Sequence, residues 1–154
     1  METDYRLVRT TTANEDFQKL VLSLDHELWN ELQEDQTIYD QYNKVINVKT
    51  AVVIYERTTP VACGCFKAYA TDTVEIKRMY VQKAHRGNGL SKQVLKELER
   101  WATENDYRYA VLETSVRFVA AKQLYHSNGY QTIPNYGPYA GLKESVCMKK
   151  KLNP

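Results

Sequence analysis

The stretch from Val74 to Asn105 constrains this chain most. Val74–Val81 reads as a strand, Arg86-Gly87-Asn88-Gly89-Leu90-Ser91 as a loop, and Ser91–Asn105 as an amphipathic helix with Val94, Leu95, Leu98, Trp101 and Ala102 on one face. Strand, glycine loop and helix N-terminus in that order make a receptor for an anion. Glycines let the backbone turn sharply and approach a ligand, and the exposed N–H groups at the positive helix end meet phosphate oxygens. Lys83, His85, Arg86 and Lys92 surround the loop. It is not an ATPase loop, since no Gly-Lys-Ser/Thr closes it. It is not a dinucleotide loop, since no third glycine follows at that spacing and the strand comes late in the chain. Taken alone, a short Gly-x-Gly fits an ordinary strand–helix turn equally well.

The remaining pattern is mixed. Tyr5–Arg9 reads as a strand, and Thr12-Ala13-Asn14-Glu15 as a capping box with Thr12 as N-cap. Phe17, Leu20, Val21, Leu24 and Leu28 follow at helical spacing, and a second helix is expected around Ile38, Tyr39, Tyr42 and Val45. Strands are expected at Thr50–Glu56 and Val61–Ala70, joined by a Thr58-Thr59-Pro60 turn, and at Tyr109–Thr114. Val119–Ser127 reads as a helix stopped by Asn128-Gly129, and Gln131–Ile133 and Ser145–Leu152 as late strands. This order predicts an α/β chain with a hairpin-rich middle. At 154 residues it is expected to form a single domain over 1–154.

Composition excludes several classes. Apolar residues make up 43% and charged residues 26%, which is globular. Apolar runs such as Ala51–Tyr55 fall far short of the ~20 residues a bilayer span needs, and the N-terminus carries no secretory pattern. Cys63, Cys65 and Cys147 form an odd, sparse set, which points to reduced thiols and a cytoplasmic setting. Cys63 and Cys65 share a strand face as small buried hydrophobes, and no metal-ligand spacing is found. A net charge of +2 gives no nucleic-acid footprint. Residues 1–40 nevertheless carry −7 and the remainder +9. This asymmetry reads either as solvated helix faces or as a cationic substrate at one end and a polyanionic ligand at the other. Lys149-Lys150-Lys151 reads as a solvated strand end.

Further motifs join the loop. Ala121-Lys122-Gln123-Leu124-Tyr125 precedes Gly129-Tyr130, Leu112-Glu113-Thr114 lies on the fifth expected strand, and Tyr136-Gly137-Pro138-Tyr139 stands near the end. With these, the chain resembles the GNAT superfamily of N-acetyltransferases. The family's Gln/Arg-x-x-Gly-x-Gly/Ala motif reads here Arg86 to Ser91, and its Ala-x-x-Leu-Tyr motif reads Ala121 to Tyr125. Ser91 replaces the final Gly/Ala and is small enough to keep phosphate contact. Phe118 stands where many members carry an asparagine that bonds the cofactor.

The resemblance implies a central, mostly antiparallel sheet splayed between strands 4 and 5, with about four helices. It implies acetyl-CoA as co-substrate, no metal, and a small-molecule or peptide amine as acceptor. No nucleic-acid or membrane partner is implied, and a homodimer is allowed. The backbone of Met79, Tyr80 and Val81 would pair with the pantetheine amides, and Arg86, Gly87, Asn88, Gly89, Leu90 and Ser91 would hold the pyrophosphate. The amine would attack the thioester directly, in a ternary complex. An ammonium with a pKa near 10.4 is rarely neutral at pH 7, a penalty of roughly 4–5 kcal/mol, so a base is useful. By spacing to Arg86, Glu75 matches the family's catalytic glutamate, with Glu113 or water as the alternative. Tyr125 matches the general acid for the departing thiolate, and a backbone N–H near Met79 or Tyr80 would serve the oxyanion. The competing reading is a non-catalytic acyl-CoA-binding regulatory module.

Overall fold

The computed structural model describes residues 4–32 and 47–153. Strands β1 (Tyr5–Thr10), β2 (Ala51–Glu56), β3 (Thr59–Ala70), β4 (Thr73–Val81), β5 (Tyr109–Ser115), β6 (Gln131–Ile133) and β7 (Ser145–Lys151) alternate with three α-helices among the described residues. The helices are α1 (Glu15–Leu32), α2 (Leu90–Glu104) and α3 (Val119–Ser127). The helix expected around residues 38–45 lies outside the described residues. Hydrogen bonding orders the strands β1-β2-β3-β4-β5-β7-β6. β4 and β5 are parallel over Thr73↔Tyr109, Val74↔Ala110 and Glu75↔Val111, while β1–β2, β2–β3, β5–β7 and β6–β7 are antiparallel. This is the mixed, mostly antiparallel α/β sheet that the sequence predicts.

The chain divides into two compact units, the described residues of Met1–Lys67 with Lys77–Leu98, and those of Ala68–Ile76 with Glu99–Pro154. In the first, Phe17 and Leu20 of α1 pack with Ala51, Val53 and Tyr55 of β2, Cys63 and Cys65 of β3, and Tyr80 of β4. Both cysteines are buried free thiols, as the strand parity predicts. Gly64, between them in sequence, has no room for a side chain. A Cβ there would lie 2.6 Å from Met79 Sδ, 2.8 Å from Val94 Cγ1 and 3.1 Å from Leu98 Cδ1.

The N-cap of α1 differs from the expected capping box. Asn14 Oδ1 accepts from Phe17 N at 2.9 Å, the bond that caps a helix. Thr12 is buried and engaged elsewhere, donating from its hydroxyl to Val48 O and accepting from Val48 N at 3.0 Å. The β2–β3 loop also differs. Its two residues are Arg57 and Thr58, with Arg57 at φ 57°, so the turn falls one position earlier than expected and β3 begins at Thr59.

In the second unit, β5 buries Ala110, Val111 and Leu112, and β7 buries Cys147 and Met148. Glu99 of α2 is buried, and its carboxylate accepts from Tyr130 Oη at 2.9 Å and Lys150 Nζ at 2.8 Å. Lys150 is therefore part of an interior ion pair, not a solvated strand end. Its aliphatic stem reaches inward while its ammonium finds a carboxylate. Gly129 ends α3 at φ 96°, the left-handed conformation expected of it.

Candidate active site

The first unit holds the glycine loop. β4 leads through a 3-10 turn at Lys83–His85 into Arg86, and α2 begins at Leu90. Gly87 and Gly89 sit at φ 85° and 74°, conformations that a side chain would strain. Gln93 N donates to Gly89 O at 3.1 Å, the first turn of the helix. The amides of Leu90, Ser91 and Lys92 therefore have no carbonyl within the helix to bond and point out of its end. Gly87, Asn88 and Gly89 are exposed beside them.

Arg86 is anchored on two sides. Its Nε donates to Val81 O at 2.9 Å, and its Nη2 meets Glu27 Oε2 at 2.7 Å. The other oxygen of Glu27 accepts from Tyr80 Oη at 2.9 Å. The Tyr80 phenol is pushed up to about 12, first by burial and then by the bond to Glu27 and its charge. Asn88 Nδ2 donates to His85 O at 3.0 Å and braces the loop. Arg78 Nη1 meets Asp25 Oδ1 at 2.6 Å, and Tyr55 Oη donates to Asp16 Oδ2 at 2.7 Å. Three carboxylates of α1 thus serve to tie the helix to β2, β4 and the loop. Neither reading of the acidic first forty residues foresees this use.

Met79, Tyr80 and Val81 close β4, the first half-buried and the other two buried. Before them, Arg78 stands at φ 59° inside the strand. A bulky residue in the left-handed region is an outlier that breaks the side-chain alternation. Side-chain alternation along β4 therefore breaks at Arg78.

The second unit holds the candidate acid and base. Glu75 of β4 is 4% exposed, and Tyr136 Oη donates to its Oε2 at 2.6 Å. The Tyr136 phenol is held far above its ordinary range, first by burial, then by the charge and bond of Glu75. Tyr125 of α3 is buried with its ring edge-on to Tyr130 at 5.8 Å, and burial raises its phenol, with the Glu113 charge adding. Glu113 of β5 accepts from Ser145 Oγ at 2.8 Å. The Cys147 thiol is pushed up to about 11, mainly by burial, which makes it a poor nucleophile at neutral pH. Glu75, Glu113 and Tyr125 thus fall in one unit, and Met79–Val81 with Arg86–Ser91 in the other. Glu27 is a polar partner that the motifs do not single out, and Tyr136 lies in a motif that gives it no role. The signal nearest to Tyr136 is the Tyr-Gly-Pro-Tyr cluster itself.

Comparison with known proteins places the chain. Residues 14–130 match the acetyltransferase (GNAT) family, and the chain belongs to it. It is 36% identical over 92 residues to the uncharacterized N-acetyltransferase YsnE of Bacillus subtilis, covering 58% of this chain and 61% of that protein. The chain thus spans about three fifths of that relative's length. A Klebsiella pneumoniae structure assigned as an acyl-CoA N-acyltransferase superposes with a TM-score of 0.80 at 29% identity, covering 99% of this chain and 100% of that one. The Salmonella typhimurium yncA structure, which contains acetyl-CoA, shares the fold with a TM-score of 0.66 at 15% identity, covering 97% of this chain and 94% of that one.

Proposed function

We propose that this chain is a single-domain acetyl-CoA-dependent N-acetyltransferase acting on a primary amine through direct attack in a ternary complex. One observation carries most of the weight: two glycines at positive φ lie immediately before the exposed N-terminus of α2. The donors there are backbone amides in a short arc, the chemistry that receives a pyrophosphate. They fit the phosphates of coenzyme A, the ligand class held by the Salmonella fold neighbour. Bound there, acetyl-CoA supplies an activated thioester carbonyl.

The chain's own residues supply orientation and proton transfer. Backbone groups of Met79, Tyr80 and Val81 align the pantetheine arm. Glu75 takes the ammonium proton, directly or through water, which offsets the cost of presenting a neutral amine. Tyr125 keeps its proton at neutral pH because burial opposes the phenolate, so it can donate to the departing thiolate. A backbone N–H beside Met79 stabilises the oxyanion.

The test is thiol release from acetyl-CoA in the presence of a panel of primary amines: amino acids, aliphatic polyamines, aminoglycosides and lysine peptides. Amine-dependent release with an N-acetylated product supports the reading. Tight acetyl-CoA binding with no release for any amine overturns it in favour of a regulatory binding module.

A further inference from the structure

The Asn135-Tyr136-Gly137-Pro138-Tyr139 segment is tied down more firmly than a surface loop needs to be. Asn135 Nδ2 approaches three carbonyls, Tyr139 O at 3.3 Å, Leu142 O at 3.1 Å and Ser145 O at 3.1 Å. A 3-10 turn at Gly137–Tyr139 follows, with Gly137 at φ 53°. The Tyr136 ring stands edge-on to Tyr69 at 5.0 Å and to Tyr139 at 5.6 Å. Tyr139 is 1% exposed, so one of these two ring contacts is anchored in the interior. The backbone clamp and the ring pairs together fix where the Tyr136 hydroxyl points. It points at Glu75 Oε2, 2.6 Å away, the short distance of a bond from a hydroxyl to a charged carboxylate.

We propose that Tyr136 is a positioning residue, which holds the Glu75 carboxylate in the orientation from which it accepts the substrate proton. The proposal rests on the assignment of Glu75 as the base. A glutamate has three rotatable bonds, and a base must stay within hydrogen-bond reach of the proton it removes. One oxygen fixed by a rigid phenol sets the plane of the whole group. The phenol remains a donor throughout the neutral range, because burial and the facing carboxylate both oppose its ionisation. Tyr136 makes no proton transfer of its own, and its effect passes through Glu75.

A double-mutant cycle tests this with acetyl-CoA and the best amine of the panel above. Tyr136→Phe keeps the ring pairs and removes only the hydroxyl. It should lower kcat about tenfold and leave the KM for acetyl-CoA unchanged, with a melting temperature lower by a few degrees because the buried carboxylate loses a donor. In a Glu75→Gln background, itself slowed about 10²-fold, adding Tyr136→Phe should cost nothing further, because the group it positions is gone. Tyr136→His keeps a ring and an N–H donor. Its ring ends short of the phenol oxygen, so it should be slowed as Tyr136→Phe is, and it carries the cycle if the Phe variant folds poorly. Losses that multiply in the double variant overturn the positioning role, as does a folded Tyr136→Phe within twofold of the parent while Glu75→Gln is slow. A fully active Glu75→Gln is a different failure, since it overturns the base assignment and the role of Tyr136 with it.

Discussion

Glu27 of α1 and Arg86 of the glycine loop are joined by an ion pair of 2.7 Å. Both ends are 38–45% exposed, so the pair adds little to global stability, within about 0.5 kcal/mol. Its consequence is local, because it ties the loop to a helix. Arg86→Ala should raise the acetyl-CoA Kd about tenfold, or ~1.4 kcal/mol, with little change in melting temperature. Calorimetry on Glu27→Gln then separates two causes. If the tie matters, Glu27→Gln also weakens binding, and this is the expected result. Tighter binding would mean that the Arg86 charge acts alone.

Gly89→Val tests the loop itself. Beyond its chain neighbours, no atom lies within 4 Å of where a Cβ would sit, so nothing packed around the loop opposes a side chain there. Its cost comes from φ 74°, about 1–2 kcal/mol for a residue with a side chain. The folded variant should lose acetyl-CoA binding, because the side chain occupies the approach to the amides. Unchanged affinity in a folded Gly89→Val protein would remove the loop from the site.

Tyr125→Phe should lower kcat by at least about tenfold, ~1.4 kcal/mol of transition-state stabilisation, while the Kd for acetyl-CoA holds. Ring packing against Tyr130 survives the change. A kcat within twofold of the parent would make Tyr125 a packing residue.

Alkaline stability follows from the same phenols. Tyr125, Tyr130 and Tyr136 are each raised above 10 by burial, while in the unfolded chain each ionises near 10. The unfolded state therefore holds fewer protons than the native state above that pH, and stability falls as pH rises. Below about pH 9 these groups add no pH dependence. Above pH 10 each contributes a slope of up to about 1.4 kcal/mol per pH unit. Urea unfolding between pH 8 and 11 should show this fall, and Tyr125→Phe should make it shallower by one phenol. An unchanged slope would mean that Tyr125 ionises as easily when folded.

Lys150→Met should destabilise the fold by about 3–5 kcal/mol, since it leaves the Glu99 carboxylate buried with only the Tyr130 hydroxyl. Adding Glu99→Met should recover most of that loss in urea unfolding. A near-neutral Lys150→Met would mean that water reaches Glu99 in the native state.

The sequence and the structure agree where periodicity is strong and diverge where long side chains choose partners. Val94, Leu95, Leu98 and Ala102 are buried as their helical spacing predicts. Gly87 and Gly89 take the backbone that a strand–loop–helix junction asks of them. Lys150 reads as surface because a lysine run is usually solvated, and nothing local to it reveals a glutamate 51 positions away. Thr12 fits the capping-box spacing as well as Asn14 fits its actual role, and the choice is made by Val48, a distant backbone group. Glu75 stands out by its spacing to Arg86, but its bond to Tyr136 joins residues 61 apart and depends on how the late loop folds back. Motif spacing locates candidate groups, whereas their hydrogen-bond partners are a property of the folded chain.

Gly64 sets how closely α2 seats on β3. The helix rests on β3 where a single hydrogen stands in place of a side chain, with Val94 and Leu98 as its points of support. Five residues earlier, about 7.5 Å along the axis, is Gly89 at the loop. A methyl group at position 64 would press on Met79 as well as on Val94 and Leu98, so these side chains would have to give way before the helix could keep its seat. How closely the helix after the glycine loop seats on the sheet therefore depends on an atom missing from a neighbouring strand.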